Sequence, residues 1–391
     1  LGYICLLLLL FPGIAGLDSR MTKIQTLLYS RPLVASTGFR LFSTLRRAAV
    51  LVAVAGALTA CGGGGGGDAG ASTPSTTADQ STTTAQPTTT TQPTTTSSAA
   101  GAGRGFSVAG PWVSFYGQAS QVDLAKLATT YRIFDIDADP DMGNFTPAQI
   151  KQLQNGGQNK VLSYFNLGSC ENYRGFWSSV PAGFLSCSAN KAAQLGTYAG
   201  YANEVWMNVG NADYQNLILN YVAPRLVAQG IDGFYFDNFE IVEHGTNTTN
   251  GPCDAQCSQG GLDLIAKLRD KYPNLLFVMQ NATSDKTRLG TATGASGTVA
   301  YPSLLDGIAH EEVYKPTFDK AVESELVNWS SMNLMPGGRP FWIATLDYVG
   351  SCSNTTDAQI AFQSSRARGF SPSVSDASAS QQTVCYWPSS W

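Results

Sequence analysis

Beyond Gly105 the chain alternates short apolar, β-branched and aromatic runs with segments of helical spacing. The runs are PWVSFYG (111–117), YRIFDID (131–137), KVLSYFNLG (160–168), EVWMNV (204–209), GFYFDN (233–238), LLFVMQN (275–281), DGIAHEEVY (306–314) and PFWIATLDY (340–348). Between them, TPAQIKQLQN has an amphipathic helix pattern, NLILNYVAPRLVAQG closes on a glycine suited to a C-cap, and GLDLIAKLRDKYP is stopped by Pro273. Eight strands alternating with helices over roughly 280 residues predict an α/β fold of the (β/α)8, TIM-barrel type. An open doubly wound sheet is the competing arrangement, but no GxGxxG follows the first strand.

In such a barrel the strands end in a solvated bowl, and polar residues recur where these strands run out. They are Asp135 and Asp137, Asn166, Asn208, Asp237, Gln280 and Asn281, Glu311 and Glu312, and Asp347. Any one of them is an ordinary capped strand end; their recurrence on most strands points to a site. Strand alternation sorts them further. In GFYFDN, Phe234 and Phe236 suit the helix-facing side, which turns Gly233, Tyr235 and Asp237 inward. In GIAHEEVY the small Ala309 favours the crowded interior, which makes Glu311 the inward carboxylate, although a bulge would substitute Glu312.

Two carboxylates across a barrel mouth meet the requirement of glycosidic bond cleavage, one protonating the departing oxygen and the other attacking or activating water. Sequence leaves their separation, and hence retention or inversion, open. Ser/His/Asp chemistry lacks a GxSxG elbow. A metal site on His310, Glu311 and Glu312 is disfavoured because consecutive strand residues face opposite ways.

Ahead of this region, Arg40, Arg46 and Arg47 precede an apolar run from Ala48 to Ala60 that is too short for an ordinary transmembrane helix. Residues 1–60 therefore read as leader and signal peptide. Leu58-Thr59-Ala60-Cys61 resembles the bacterial lipoprotein box, with Cys61 the lipidated residue, a lipid anchor in the membrane, and a bacterial cell-envelope or secreted location. The upstream run LGYICLLLLLFPGIAG, before the first methionine at Met21, reads as translated sequence ahead of the true start, or alternatively as a eukaryotic signal peptide. Residues 61–104 are Gly-rich, then Ser/Thr/Pro/Gln-rich, a composition expected to form a disordered tether. Residues 105–391 form the expected folded domain.

Charge is uneven. The first 104 residues carry seven Lys and Arg against three Asp and Glu; the rest carries 17 against 25, a net charge of −8. That balance argues against nucleic acid and suits a neutral or cationic substrate. Six cysteines lie in residues 105–391, and nearest neighbours would pair Cys170 with Cys187, Cys253 with Cys257, and Cys352 with Cys385, one of 15 connectivities. A zinc site at Cys253 and Cys257 competes, against a background of only two histidines. No cofactor is implied, and a monomer is expected.

VLSYFNLGSCENYR (161–174), GIDGFYFDNFE (230–240), VMQNA (278–282), DGIAHEEVY (306–314) and IATLDYV (343–349) occur in the order and spacing of the endo-α-1,4-polygalactosaminidase family, glycoside hydrolase family 114, which the chain resembles over about residues 110 to 350. The resemblance implies a barrel hydrolase acting on α-1,4-linked galactosamine-rich polysaccharide, with Asp237 and Glu311 as catalytic carboxylates and Glu312 as substitute. It also implies substrate contacts from Tyr164, Glu171, Arg174, Gln280, Asn281 and Asp347. Asp135 and Asn238 join this set from their strand ends. Trp112, Tyr116, Trp177, Tyr235, Tyr314 and Tyr348 are aromatic candidates for stacking on sugar rings, with core packing the alternative for each. The insertion EHGTNTTNGPCDAQC and the stretch from Cys352 to Trp391 depart from the pattern. A non-catalytic polysaccharide-binding lipoprotein and a metal-dependent polysaccharide deacetylase are the competing functions.

Overall fold

The computed structural model describes residues 105–332, 341–376 and 380–391. The leader, the tether and Cys61 lie outside the described residues.

Eight strands form one sheet in sequence order: β1 (Trp112–Phe115), β2 (Ile133–Ile136), β3 (Lys160–Asn166), β4 (Gly233–Asp237), β5 (Leu276–Gln280), β6 (Gly307–Glu311), β7 (Trp342–Tyr348) and β8 (Ser371–Ser375). Every hydrogen-bonded neighbour is parallel. The sheet curls until β1 meets β8, where Trp112 Nε1 donates to the Ser371 carbonyl at 2.8 Å, so the barrel is TIM-type and nearly closed.

Helices cover the outside: α1 (Leu124–Thr130), α2 (Pro147–Gln154), α3 (Ala212–Leu217, continued by a π turn through Val222 and a helix to Val227), α4 (Ala255–Lys271), α5 (Lys320–Ser330) and α6 (Thr355–Ala367). Their starts follow local rules. Thr146 and Gln149 form a capping box ahead of Pro147, and Asp254, Asp319 and Asn354 cap α4, α5 and α6 through side-chain oxygens.

Two strand assignments change. EVWMNV is not a barrel strand, and Asn208 does not end one. Glu204–Met207 is the middle strand of a three-stranded antiparallel sheet, between Ser169–Glu171 and Gln194–Thr197, inserted after β3. Its aromatic content serves that insertion: Trp206 stacks on Tyr198 at 4.0 Å, and its indole N–H donates to Asn250. The true last strand is β8, SPSVS, which has little apolar alternation to betray it. Every strand predicted after EVWMNV therefore moves up one place.

Inside the barrel, Trp112, Ile133, Leu162, Tyr235, Val278, Ala309, Trp342, Ala344 and Leu346 pack together. The alternation predicted for β4 and β6 holds: Tyr235 and Ala309 belong to this interior cluster, while Phe234, Phe236 and Ile308 belong to the layer between sheet and helices. Trp112 and Trp342 meet edge to face at 5.3 Å. Room for Trp342 comes from Gly307, where a Cβ would lie 2.7 Å from the Trp342 carbonyl oxygen and 3.1 Å from its ring. At the N-terminal end, Phe106 covers Trp342 at 4.9 Å. There the buried Asp306 carboxylate accepts from Arg269 (2.7 Å) and from the amides of Gly105 and Phe277 (both 2.9 Å). Those hydrogen bonds, with the Arg269 charge, offset the desolvation penalty of the buried carboxylate.

All three nearest-neighbour disulfides are present, Cys170–Cys187, Cys253–Cys257 and Cys352–Cys385, so the two cysteines of the EHGTNTTNGPCDAQC insertion form a bridge rather than a zinc site. Such bridges are expected of an oxidising, extracytoplasmic compartment. Among the described residues no helix is long and apolar enough to cross a membrane.

Candidate active site

Inward parity carries a ring of polar side chains to the C-terminal rim: Tyr116 after β1, Asp135 on β2, Tyr164 and Asn166 on β3, Asp237 on β4, Gln280 on β5, Glu311 on β6 and Tyr348 on β7. Gln280 joins the two carboxylates. Its single amide nitrogen donates to Asp237 Oδ1 at 3.2 Å and to Glu311 Oε2 at 2.7 Å. With the roughly 120° between the two N–H directions of an amide, those oxygens lie about 5 Å apart, and no geometry separates them by more than about 6 Å.

The chain turns sharply after each of β4, β5 and β6, with Asn238 (φ 57°), Asn281 (φ 64°) and Glu312 (φ 53°) in the left-handed region. Asparagine tolerates that conformation better than most residues, which accounts for the Asp-Asn and Gln-Asn pairs. The turn at Asn281 returns its amide to the site: Nδ2 donates to Glu311 Oε2 at 3.0 Å, and Oδ1 accepts the Glu311 N–H. Glu312 instead bonds through its own N–H to the Leu346 carbonyl. Glu311 is thus the glutamate that shares a donor with Asp237. His310 faces away from it, its Nδ1 2.7 Å from the Glu311 carbonyl oxygen.

Four donors converge on the Glu311 carboxylate: Gln280 and Asn281 on Oε2, Tyr348 OH and Gln381 Nε2 on Oε1. Such convergence fixes the orientation of the carboxylate. Asp237 is placed differently. Burial first, then the charges of Glu311 and Glu240, push its carboxyl well above the ordinary aspartate range. Asp135 is also raised by burial, against hydrogen bonds from Tyr116 OH (2.6 Å) and Ser114 Oγ (2.8 Å) that favour its anion. Asp135 Oδ1, Tyr235 OH and Gln280 Oε1 are buried without a protein hydrogen-bond partner among the described residues.

The three-stranded sheet adds a second wall. Glu171 pairs with Arg174 at 2.7 Å and accepts from Tyr164 OH and Tyr173 OH, while Arg174 also holds Asp137 at 2.9 Å. Arg174 is therefore committed to three carboxylates, Asp139 being the third at 3.5 Å. Glu204, absent from the predicted site, accepts from Ser169 Oγ (2.6 Å), Asn238 Nδ2 (3.0 Å) and Asn166 Nδ2 (3.4 Å). Burial, then Glu171, pushes its carboxyl up to about 7. The approach of this insertion to the rim requires Gly168, where a Cβ would lie 1.7 Å from the Asn238 carbonyl oxygen.

Other predicted contacts sit elsewhere. Asp347 has the parity opposite to Leu346 and Tyr348 and accepts the amides of Tyr314 (2.6 Å) and Lys315 (2.8 Å), anchoring the turn after β6. Burial raises it to about 7 against those two hydrogen bonds. The Tyr314 hydroxyl donates to Glu323 on α5, and its ring stacks on Phe318. Trp112 is core. Gln381 had no sequence signal at all, lying in the stretch without a nameable pattern. The only clue to Glu204 was its place at the head of a run mistaken for a barrel strand.

The sequence profile described as glycoside-hydrolase family GH114 matches residues 88–390. The match runs through the stretch after Cys352, which therefore belongs to the family pattern rather than departing from it. No curated protein sequence matches the chain. Among solved structures, the glycoside hydrolase domain of PelA from Pseudomonas aeruginosa is similar at 16% identity, with 69% of this chain and 96% of that chain covered and a TM-score of 0.50. Ega3 from Aspergillus fumigatus, in complex with galactosamine, is similar at 16% identity, covering 69% of this chain and 92% of that chain, with a TM-score of 0.48.

Proposed function

This chain belongs to glycoside-hydrolase family GH114, and on that premise we propose that it cleaves α-1,4-linked galactosamine-rich polysaccharide with Asp237 and Glu311 as the two reacting carboxyls. The observation that carries the assignment is the shared donor: one Gln280 nitrogen bonded to both groups. Hydrolysis by a carboxyl pair needs one member protonated and the other ionised. Asp237 is the member whose surroundings favour a proton, because burial first and then the charges of Glu311 and Glu240 oppose its ionisation, while four donors orient the Glu311 carboxylate.

The spacing supports a retaining course. Retaining pairs lie about 5–5.5 Å apart, whereas an inverting pair needs about 6.5–9.5 Å to admit water. One carboxyl protonates the glycosidic oxygen as the other attacks the anomeric carbon. The resulting glycosyl ester is then hydrolysed by water activated by the first.

An amino sugar fits the surroundings. Asp237 feels the charges of Glu311, Glu240 and Glu204, so an ammonium group entering the rim would relieve repulsion among them. Asp135 Oδ1, Tyr235 OH and Gln280 Oε1, which lack protein partners among the described residues, suit the hydroxyls of a sugar ring. Tyr164, Asn281 and Tyr116 complete the contacts, whereas Asp347 and Tyr314 support the wall from behind.

The test is hydrolysis of deacetylated and acetylated α-1,4-galactosamine polymers by the wild type, Asp237→Asn and Glu311→Gln. Each variant should fold normally and lose at least about a thousandfold in kcat. Normal turnover by both variants would remove the pair from the mechanism. A protein that binds the polymer without releasing reducing ends would instead be a binding module.

A further inference from the structure

The segment from Ser380 to Trp391 crosses the seam of the barrel and delivers one side chain into its mouth. Gln381 is 4% exposed. Its carbonyl accepts the Tyr116 N–H at 2.8 Å, tying the end of β1 across the seam. Its side-chain nitrogen donates to Tyr348 OH at 2.7 Å and to Glu311 Oε1 at 3.3 Å. Because the Tyr348 oxygen accepts from Gln381, its own O–H is directed to Glu311, and the two donors reinforce each other.

The backbone at this residue is unusual. Gln381 has φ 47°, a left-handed conformation that glycine or asparagine adopts at lower cost. A glutamine kept in a strained conformation, buried and with both its amide hydrogens used at a carboxylate site, is held there for its side chain. The segment is itself pinned. The Cys352–Cys385 disulfide joins it to the loop after β7, Tyr131 OH donates to the Cys385 carbonyl (3.1 Å), and Trp387 Nε1 donates to the Val374 carbonyl of β8 (2.8 Å).

We infer that Gln381 is a positioning residue of the catalytic centre, fixing the Tyr348 hydroxyl and the Glu311 carboxylate, and that the Cys352–Cys385 disulfide is the tether that keeps it in register. The inference rests on the assignment of Glu311 above. It gives the C-terminal segment a role in turnover rather than in closing the barrel alone.

Full-length Gln381→Gly separates the two roles, because glycine removes the side chain and relieves the backbone. Thermal stability should stay level or rise, kcat should fall about tenfold or more, and KM should change little. Gln381→Glu, which replaces the amide donor to Tyr348 and Glu311 with an acceptor, should lower kcat at least as far as Gln381→Gly. In a Cys352→Ser, Cys385→Ser background, Gln381→Gly should cost clearly less than in the wild type. An unchanged kcat in Gln381→Gly, alongside an inactive Asp237→Asn, overturns the positioning role while leaving the site intact. An equal cost in both backgrounds overturns the tether. Full activity in Glu311→Gln overturns the assignment of Glu311, and the inference with it.

Discussion

Asn238 Nδ2 donates to Glu204 Oε2 at 3.0 Å, binding the residue that follows β4 to the middle strand of the inserted sheet. Ser169 Oγ bonds both of them. The insertion is thereby locked to the barrel rim beside Asp237, and its carboxylate contributes to the field there.

Glu204 makes stability depend on pH. Its folded pKa of about 7 exceeds the usual value of 4.5, so the folded state favours the protonated form. Its contribution is complete below about pH 4.5 and is lost as pH rises through about 7. Glu204→Gln should match the wild type at pH 4 and exceed it at pH 8 by up to about 3 kcal/mol. Urea unfolding at the two pH values measures the difference, and a wild type that is the more stable at pH 8 contradicts it. The same variant should raise KM for the free-amine polymer more than for the acetylated one.

The proposed retaining course leaves a covalent trace. A 2- or 5-fluoro galactosyl substrate with a good leaving group should label the wild type stoichiometrically, and peptide mapping should find the sugar on Asp237 or Glu311. Proton NMR of the first product should show the α anomer. Initial release of the β anomer, without a label on either peptide, would point to inversion.

Arg174 is buried among Glu171, Asp137 and Asp139. Replacing it with methionine leaves those carboxylates uncompensated and should destabilise the domain by about 3–5 kcal/mol in chemical denaturation. Arg174→Lys should restore only part of this, because an ammonium cannot reproduce the guanidinium fork. Near-wild-type stability of Arg174→Met would mean that the cluster is solvated in solution.

Asp347→Ala should cost about 2–4 kcal/mol by stranding the amides of Tyr314 and Lys315. Asp347→Asn, which keeps an accepting oxygen, should lose less than half as much. Both should retain kcat within a few fold. A large, stability-independent loss of kcat would return Asp347 to the substrate contacts.

Much of the barrel was legible because burial leaves a period-two signature. Phe234, Tyr235, Phe236 and Asp237 announce which way β4 faces, and the small Ala309 announces the inward turn of Glu311. The same rule, carried along PFWIATLDY from Trp342, would have turned Asp347 outward. The strand at Ser371–Ser375 escaped because serine and proline carry little apolar signal on either face. EVWMNV misled because a small antiparallel sheet buries the same residue types as a barrel strand.

By itself the sequence determined most of the alternation of strands and helices and the inward faces of the strands that carry Asp237 and Glu311, and for the cysteines it offered nearest-neighbour pairing as one of 15 connectivities. These follow from near-neighbour periodicity and short chain separation. Only the tertiary structure decided that Gln280 bridges Asp237 and Glu311, that Glu204 joins the rim from an inserted sheet, and that Gln381 reaches the centre from the far end of the chain. Those contacts join residues 31 to 70 positions apart. Their partners are chosen by where the closed barrel brings side chains together in space, which no local pattern records.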